Sequence, residues 1–131
     1  MAAFSGNRLQ IVFEYKDGIY QGYTYDKIIQ VEKDFLKDKH RYEGRFHEEF
    51  TENYKGVVYI PDSVNEDEPM LRIEILQVTR KGDLQANVIY GDKTTTMQAD
   101  GGTFGTFLNL FGDGMQHLGK QVGKWMKKAA R

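Results

Sequence analysis

Residues 103–130 read TFGTFLNLFGDGMQHLGKQVGKWMKKAA, and this stretch sets the architecture expected for the whole chain. Apolar residues recur at alternating steps of four and three: Phe104, Leu108, Phe111, Met115, Leu118, Val122, Trp125 and Ala129. That is the heptad rule, which lines them along one seam of a helix. Yet the same stretch holds five glycines, and each costs about 1 kcal/mol against alanine in a helix interior. Gly105, Gly112 and Gly119 lie seven apart and form a second stripe beside the seam. Such a column makes sense where another backbone approaches closely. Gly119 and Gly123 add a GxxxG pair of the same kind. Gly112-Asp113-Gly114 is the weak point. There the segment either runs on as one helix or divides into a short helix ending near Phe111 and a longer one with Asp113 as N-cap.

The far side of this helix is basic, with Lys120, Lys124, Lys127 and Lys128 near its end, where cations complement the helix dipole. Three uses follow from this composition. The seam can cover the chain's own sheet, as amphipathic helices commonly do. It can pair with a protein partner or a second copy, which regular heptads favour. It can lie on an anionic membrane surface, for which an apolar face backed by lysines is suited.

Ahead of the helix the period changes from helical to alternating. RLQIVFEY (8–15) sets Leu9, Ile11, Phe13 and Tyr15 on one face and runs into Lys16-Asp17-Gly18, a hairpin signal. IYQGYTYDKIIQVE (19–32) again favours odd positions and reads as one bent strand or two short ones, with Gly22 as a bulge. Residues 33–40 read as a helical turn or a polar loop, and from Tyr42 the even positions Phe46 and Phe50 suggest a strand. GVVYIP (56–61), MLRIEILQVTR (70–80), LQANVIY (84–90) and KTTTMQA (93–99) read as further strands. Short connections with no helix between strands imply antiparallel order. Asp100-Gly101-Gly102 is the hinge between strands and helix.

A chain of 131 residues is expected to form a single domain, 1–131. Its organisation would be an antiparallel β body over 1–100 and a C-terminal amphipathic helix over 101–131. The expected class is α+β: a curved antiparallel sheet or small barrel of about six or seven strands packed with one long C-terminal helix. The order of elements is similar to that of pleckstrin-homology-like domains, in which a tryptophan of the C-terminal helix plugs the barrel. The resemblance gives that role to Trp125. A sheet wrapped round a long helix, the helix-grip arrangement, fits the same order.

The net charge of −1 hides an asymmetry. Residues 1–100 carry 13 basic and 18 acidic side chains, whereas residues 101–131 carry five basic and one acidic. The halves attract each other, and the basic tail also suits an acidic partner. The acidic strand region repels a phosphate backbone, so nucleic acid is not expected as a partner despite eight tyrosines. There is no cysteine, which excludes disulfides and thiolate chemistry and suits a cytoplasmic location. No signal peptide and no spanning helix are expected, since MAAFSGNRLQ lacks the leader pattern and no apolar run is long enough.

No catalytic constellation, metal set or cofactor motif stands out. His47-Glu48-Glu49 lacks the second histidine of HExxH. The acidic loop Asp62–Glu68 lacks the turn glycine of a calcium loop. GGTFG (101–105) is not a phosphate-binding glycine motif. The expected function is therefore a non-catalytic binding or assembly module that uses the C-terminal helix and the sheet. The alternative is a carrier or sensor of a small apolar or amphiphilic ligand, held between sheet and helix near Tyr23, Tyr25 and Phe46.

Overall fold

The computed structural model describes residues 8–20 and 22–129. The fold is α+β: one open, mixed sheet of five strands with two long helices on one of its faces. The elements run β1 (Arg8–Tyr15), α1 (Tyr25–Thr51), β2 (Val57–Tyr59), β3 (Met70–Val78), β4 (Leu84–Tyr90), β5 (Lys93–Ala99) and α2 (Phe107–Ala129). The strand order is β2-β1-β3-β4-β5.

The principal correction to the sequence reading is α1. Residues expected as strands over 19–32 and from Tyr42 onward belong to a helix of 27 residues, kinked at Asp38. Its buried residues Val31, Phe35, Tyr42, Phe46 and Phe50 recur at steps of four and seven, the helical period. Thr24 caps its start, accepting from the Lys27 N–H at 3.3 Å, and Asp26 lies in the first turn, where negative charge meets the dipole. A helix between β1 and β2 returns the chain to the end from which β1 set out. β1 therefore pairs parallel with both β2 and β3, and only β3–β4 and β4–β5 are antiparallel. The expected all-antiparallel sheet or barrel of six or seven strands, and the expected β body over 1–100, are replaced by this layout. Gly18 has a positive φ of 73°, but the turn it makes is not a hairpin. The chain runs on beside β3, where the Val78 N–H donates to the Ile19 carbonyl at 2.7 Å.

The helix layer covers the odd positions of β1 and β3 and the even positions of β4. Leu9 and Ile11 of β1, Leu71, Ile73 and Ile75 of β3, and Ala86 and Val88 of β4 are buried there together with Phe46, Phe50, Phe111, Met115, Leu118, Val122 and Met126. Phe35, Tyr42 and Phe111 form an aromatic cluster between the helices, with Phe111 at 5.2 and 5.3 Å from the other two rings. Partners rise together in number along α1 and α2, from Tyr42–Phe111 to Phe50–Gly123. The two helices thus lie side by side and point the same way.

Their contact is a backbone contact. A methyl group at Gly119 would lie 3.0 Å from the Phe46 Cα and closer still to the Phe46 carbonyl oxygen. One at Gly123 would lie 2.9 Å from the Asn53 Cβ and 3.1 Å from the Phe50 carbonyl oxygen. Only glycine lets two helices approach so far. Gly112 leaves room for the Arg45 side chain, which donates to Asp113 at 2.7 Å and to Gln116. Gly114 rests on the Gly82 carbonyl in the β3–β4 turn. With both glycines packed, α2 runs unbroken through residues 112–114. Asp113 is an ion-pair partner there, not an N-cap.

Two helix glycines behave in opposite ways. Gly44 in α1 has open space where its Cβ would be, so Gly44→Ala is expected to stabilise the fold by about 0.5–1 kcal/mol through backbone entropy. Gly119→Ala is expected to destabilise it by about 1–3 kcal/mol, the cost of overpacking. Urea denaturation of the two variants beside the parent chain checks the pair of signs.

Candidate functional site

The C-terminal seam lies inside the fold. Phe111, Met115, Leu118 and Val122 are buried, and Leu108 and Trp125 are half-buried against the same core. Phe104 stands outside the helix and is 87% exposed. Gly105 also precedes the helix, in a turn at φ 109°. The side chain of Ala129 falls outside the described residues. Trp125 plugs no barrel, because the sheet is open. Lys120, Lys124, Lys127 and Lys128 all face solvent.

The residues expected to frame a ligand between sheet and helix do not meet. Phe46 is fully buried, its ring 5.0 Å from Phe13 and 6.1 Å from Phe50. The Tyr23 hydroxyl donates to the Thr79 carbonyl at 2.9 Å, and its ring packs on Phe107. Tyr25 is 77% exposed. The histidines are mostly structural: His47 Nε2 donates to the Val58 carbonyl at 2.8 Å, and His117 Nδ1 to the Asp100 carbonyl at 2.5 Å. Among the described residues no three acidic or histidine side chains converge on a metal position. None of the described helices is long and apolar enough to cross a membrane.

Two features do have the character of sites. The first is the face of the sheet away from the helices. The strand register aligns Glu14, Glu74, Asn87 and Thr96 in one row across β1, β3, β4 and β5. Val12, Arg72, Ile89 and Thr94 form the next row. The first row is tied together by its own side chains and by Arg72 and Lys16. Arg72 donates to Glu14 at 2.6 Å, Asn87 to Glu74 at 3.4 Å, and Thr96 to Asn87 at 2.8 Å, while Lys16 stands 3.5 Å from Glu74. The hydrogen bond and charge of Arg72 hold the Glu14 carboxyl below its ordinary range. At one end of this face the acidic loop crosses over and is pinned by Gln10. That buried side chain accepts from the Asn65 N–H at 2.9 Å and donates to the Asn65 and Glu68 carbonyls. The loop's role is therefore to connect β2 to β3 across β1.

The second feature is a cavity of about 240 Å³ lined by Lys39, His40, Glu43, Ile60, Pro61 and Asp62. It arises because β2 ends at Tyr59 while β1 runs on to Tyr15, so α1 and the following loop bridge a gap beside β1. Lys39 and Glu43 stand four apart on α1 and share a face. Glu43 is only 4% exposed and accepts a hydrogen bond from the Tyr15 hydroxyl at 2.7 Å. Burial pushes the Glu43 carboxyl above its ordinary range, against the pull of Tyr15, Lys39 and His40. Burial and the Glu43 charge push the Tyr15 hydroxyl well above its own. Sequence reading missed this group because it took Tyr42 onward at strand period. At helical period the Lys39–Glu43 spacing is the signal that points to it.

A carboxyl whose folded pKa is raised binds its proton more tightly in the folded chain. The Glu43 contribution to stability therefore falls as pH rises from the unfolded carboxyl value through the raised folded one. Glu43→Gln retains an acceptor for Tyr15 and removes that fall. Its stability relative to the parent chain is expected to improve steadily from acid to neutral pH, as followed by urea denaturation at a series of pH values.

No family model matches the chain, and no curated protein matches it. A crystal structure of a protein from Xanthomonas campestris, described by the family model DUF330, is similar at 10% sequence identity with a TM-score of 0.44. The match covers 95% of this chain and 88% of that one. At that score the similarity carries no argument about function.

Proposed function

We propose that this chain is a non-catalytic binding or assembly module whose contact surface is the uncovered side of its sheet together with the outer edge of β5. The observation that carries this reading is the row Glu14–Glu74–Asn87–Thr96. It spans four strands on the face that neither helix covers. A two-layer fold leaves such a face to water or to a partner, and this polar, hydrogen-bonded row suits a contact made and released from solution. The row ends at β5, an edge strand of sequence KTTTMQA. Its threonines favour extended pairing, and it lacks the proline or bulge that would blunt addition of another strand. The C-terminal helix contributes indirectly. Its seam is occupied by the chain's own core, so it supports the sheet from behind, and the apolar half of a membrane-binding face is spent in the same way.

The test is light scattering after size exclusion over a range of concentrations, with the full chain and with Thr94→Lys/Thr96→Lys. Both threonines are exposed, so the double variant should keep the parent melting curve. Assembly that weakens in the variant supports the reading. Assembly that is unchanged in the variant moves the interface elsewhere on the molecule. A chain that stays monomeric throughout counts against self-association by this surface.

A further inference from the structure

We propose that the cavity between α1 and the Ile60–Asp62 loop is a binding site for a small primary amine, whose ammonium group is taken by Glu43. The site is distinct from the sheet face and does not depend on it. Glu43 Oε2 is occupied by the Tyr15 hydroxyl at 2.7 Å, while Oε1 has no hydrogen-bond partner among the described residues. That oxygen is not shut away from solvent, so an ammonium group entering the cavity can offer it up to three donors. Glu43 also borders a second space, of about 160 Å³, shared with Ile11, Val12 and Phe13 of β1. Lys39, Ile60, Pro61 and Asp62 line that space too, so both lie along one cleft beside β1.

The other lining groups define the ligand. Asp62 places a second carboxylate at the exposed side of the cavity. Ile60 and Pro61 offer an apolar wall suited to a short alkyl chain. A volume of about 240 Å³ lies below the usual range for drug-sized ligands, which restricts the ligand to a few heavy atoms. Lys39 stands where it could neutralise Glu43 from within, but no ion pair joins the two. Its Nζ lies 5.9 Å from the centre of the Tyr15 ring instead. Lys39 therefore opposes an incoming cation by its charge without filling the position. His40 stands at the exposed rim.

The experiment is titration of the full chain with propylammonium chloride, followed by backbone amide NMR. Propionamide and sodium propionate serve as neutral and anionic controls. Saturable shifts at His40, Glu43 and Asp62 are expected with propylammonium and with neither control. Glu43→Gln should weaken binding at least tenfold, and Lys39→Met should strengthen it by removing a competing charge. The proposal is overturned if propylammonium gives no saturable shift, or if propionate moves the same amides as strongly. It is also overturned if the parent chain and Glu43→Gln bind alike. Should Glu43→Gln fail to fold, Lys39→Met decides alone, and binding weakened by that change counts against the site.

Discussion

The rest of the structure depends on the close approach of two backbones, Gly119 of α2 against Phe46 of α1. Helices separated by ordinary side chains keep their axes about 8–10 Å apart. Removing the side chain on one of them lets the carbonyl edge of α1 sit directly on α2. With the axes close, Phe111, Met115, Leu118, Val122 and Met126 can fill the space above β3, β4 and β5 while Phe46 and Phe50 fill the space above β1. One helix pair thereby covers five strands, and the core needs no third layer.

That economy determines where function can reside. The seam that gives α2 its helical pattern is consumed by the chain's own core, leaving the helix's basic side to solvent. The sheet's second face receives no helix, and only the acidic loop crosses one end of it. One row is polar and cross-linked from Glu14 to Thr96 by side chains that reach from strand to strand, and the next sets Val12 and Ile89 beside Arg72 and Thr94. The cavity beside β1 has the same origin. β2 is three residues long and β1 is eight, so the helix passes over a strip that no strand flanks, and a carboxylate from the helix faces into it.

Much of the sheet was legible from the chain itself. β1, β3 and β4 alternate in sequence and β5 is rich in β-branched threonine, and the observed strands match their reading closely. α1 was not legible because its apolar residues satisfy two periods at once. Tyr42, Phe46 and Phe50 are spaced by four, a step that keeps to one side of a strand as well as one side of a helix. Ile19, Tyr23, Tyr25, Ile29 and Val31 alternate convincingly, yet Tyr25 and Ile29 prove exposed. With that helix unread, the parallel pairing of β1 could not be foreseen, and neither could the position of Glu43.

The sequence alone determined that a long amphipathic helix ends the chain and that alternating strands precede it, and it marked the glycines as places where a neighbour can come close. Those properties are local: period, propensity and the absence of a side chain belong to each segment separately. Which backbone came close was decided only by the tertiary structure. A glycine permits contact with any partner, and the choice fell on α1 because the β1–α1–β2 crossover carries that helix to the same face of the sheet. The open face and the half-paired Glu43 have the same status. Each is defined by what other parts of the chain leave uncovered, and no single segment encodes that.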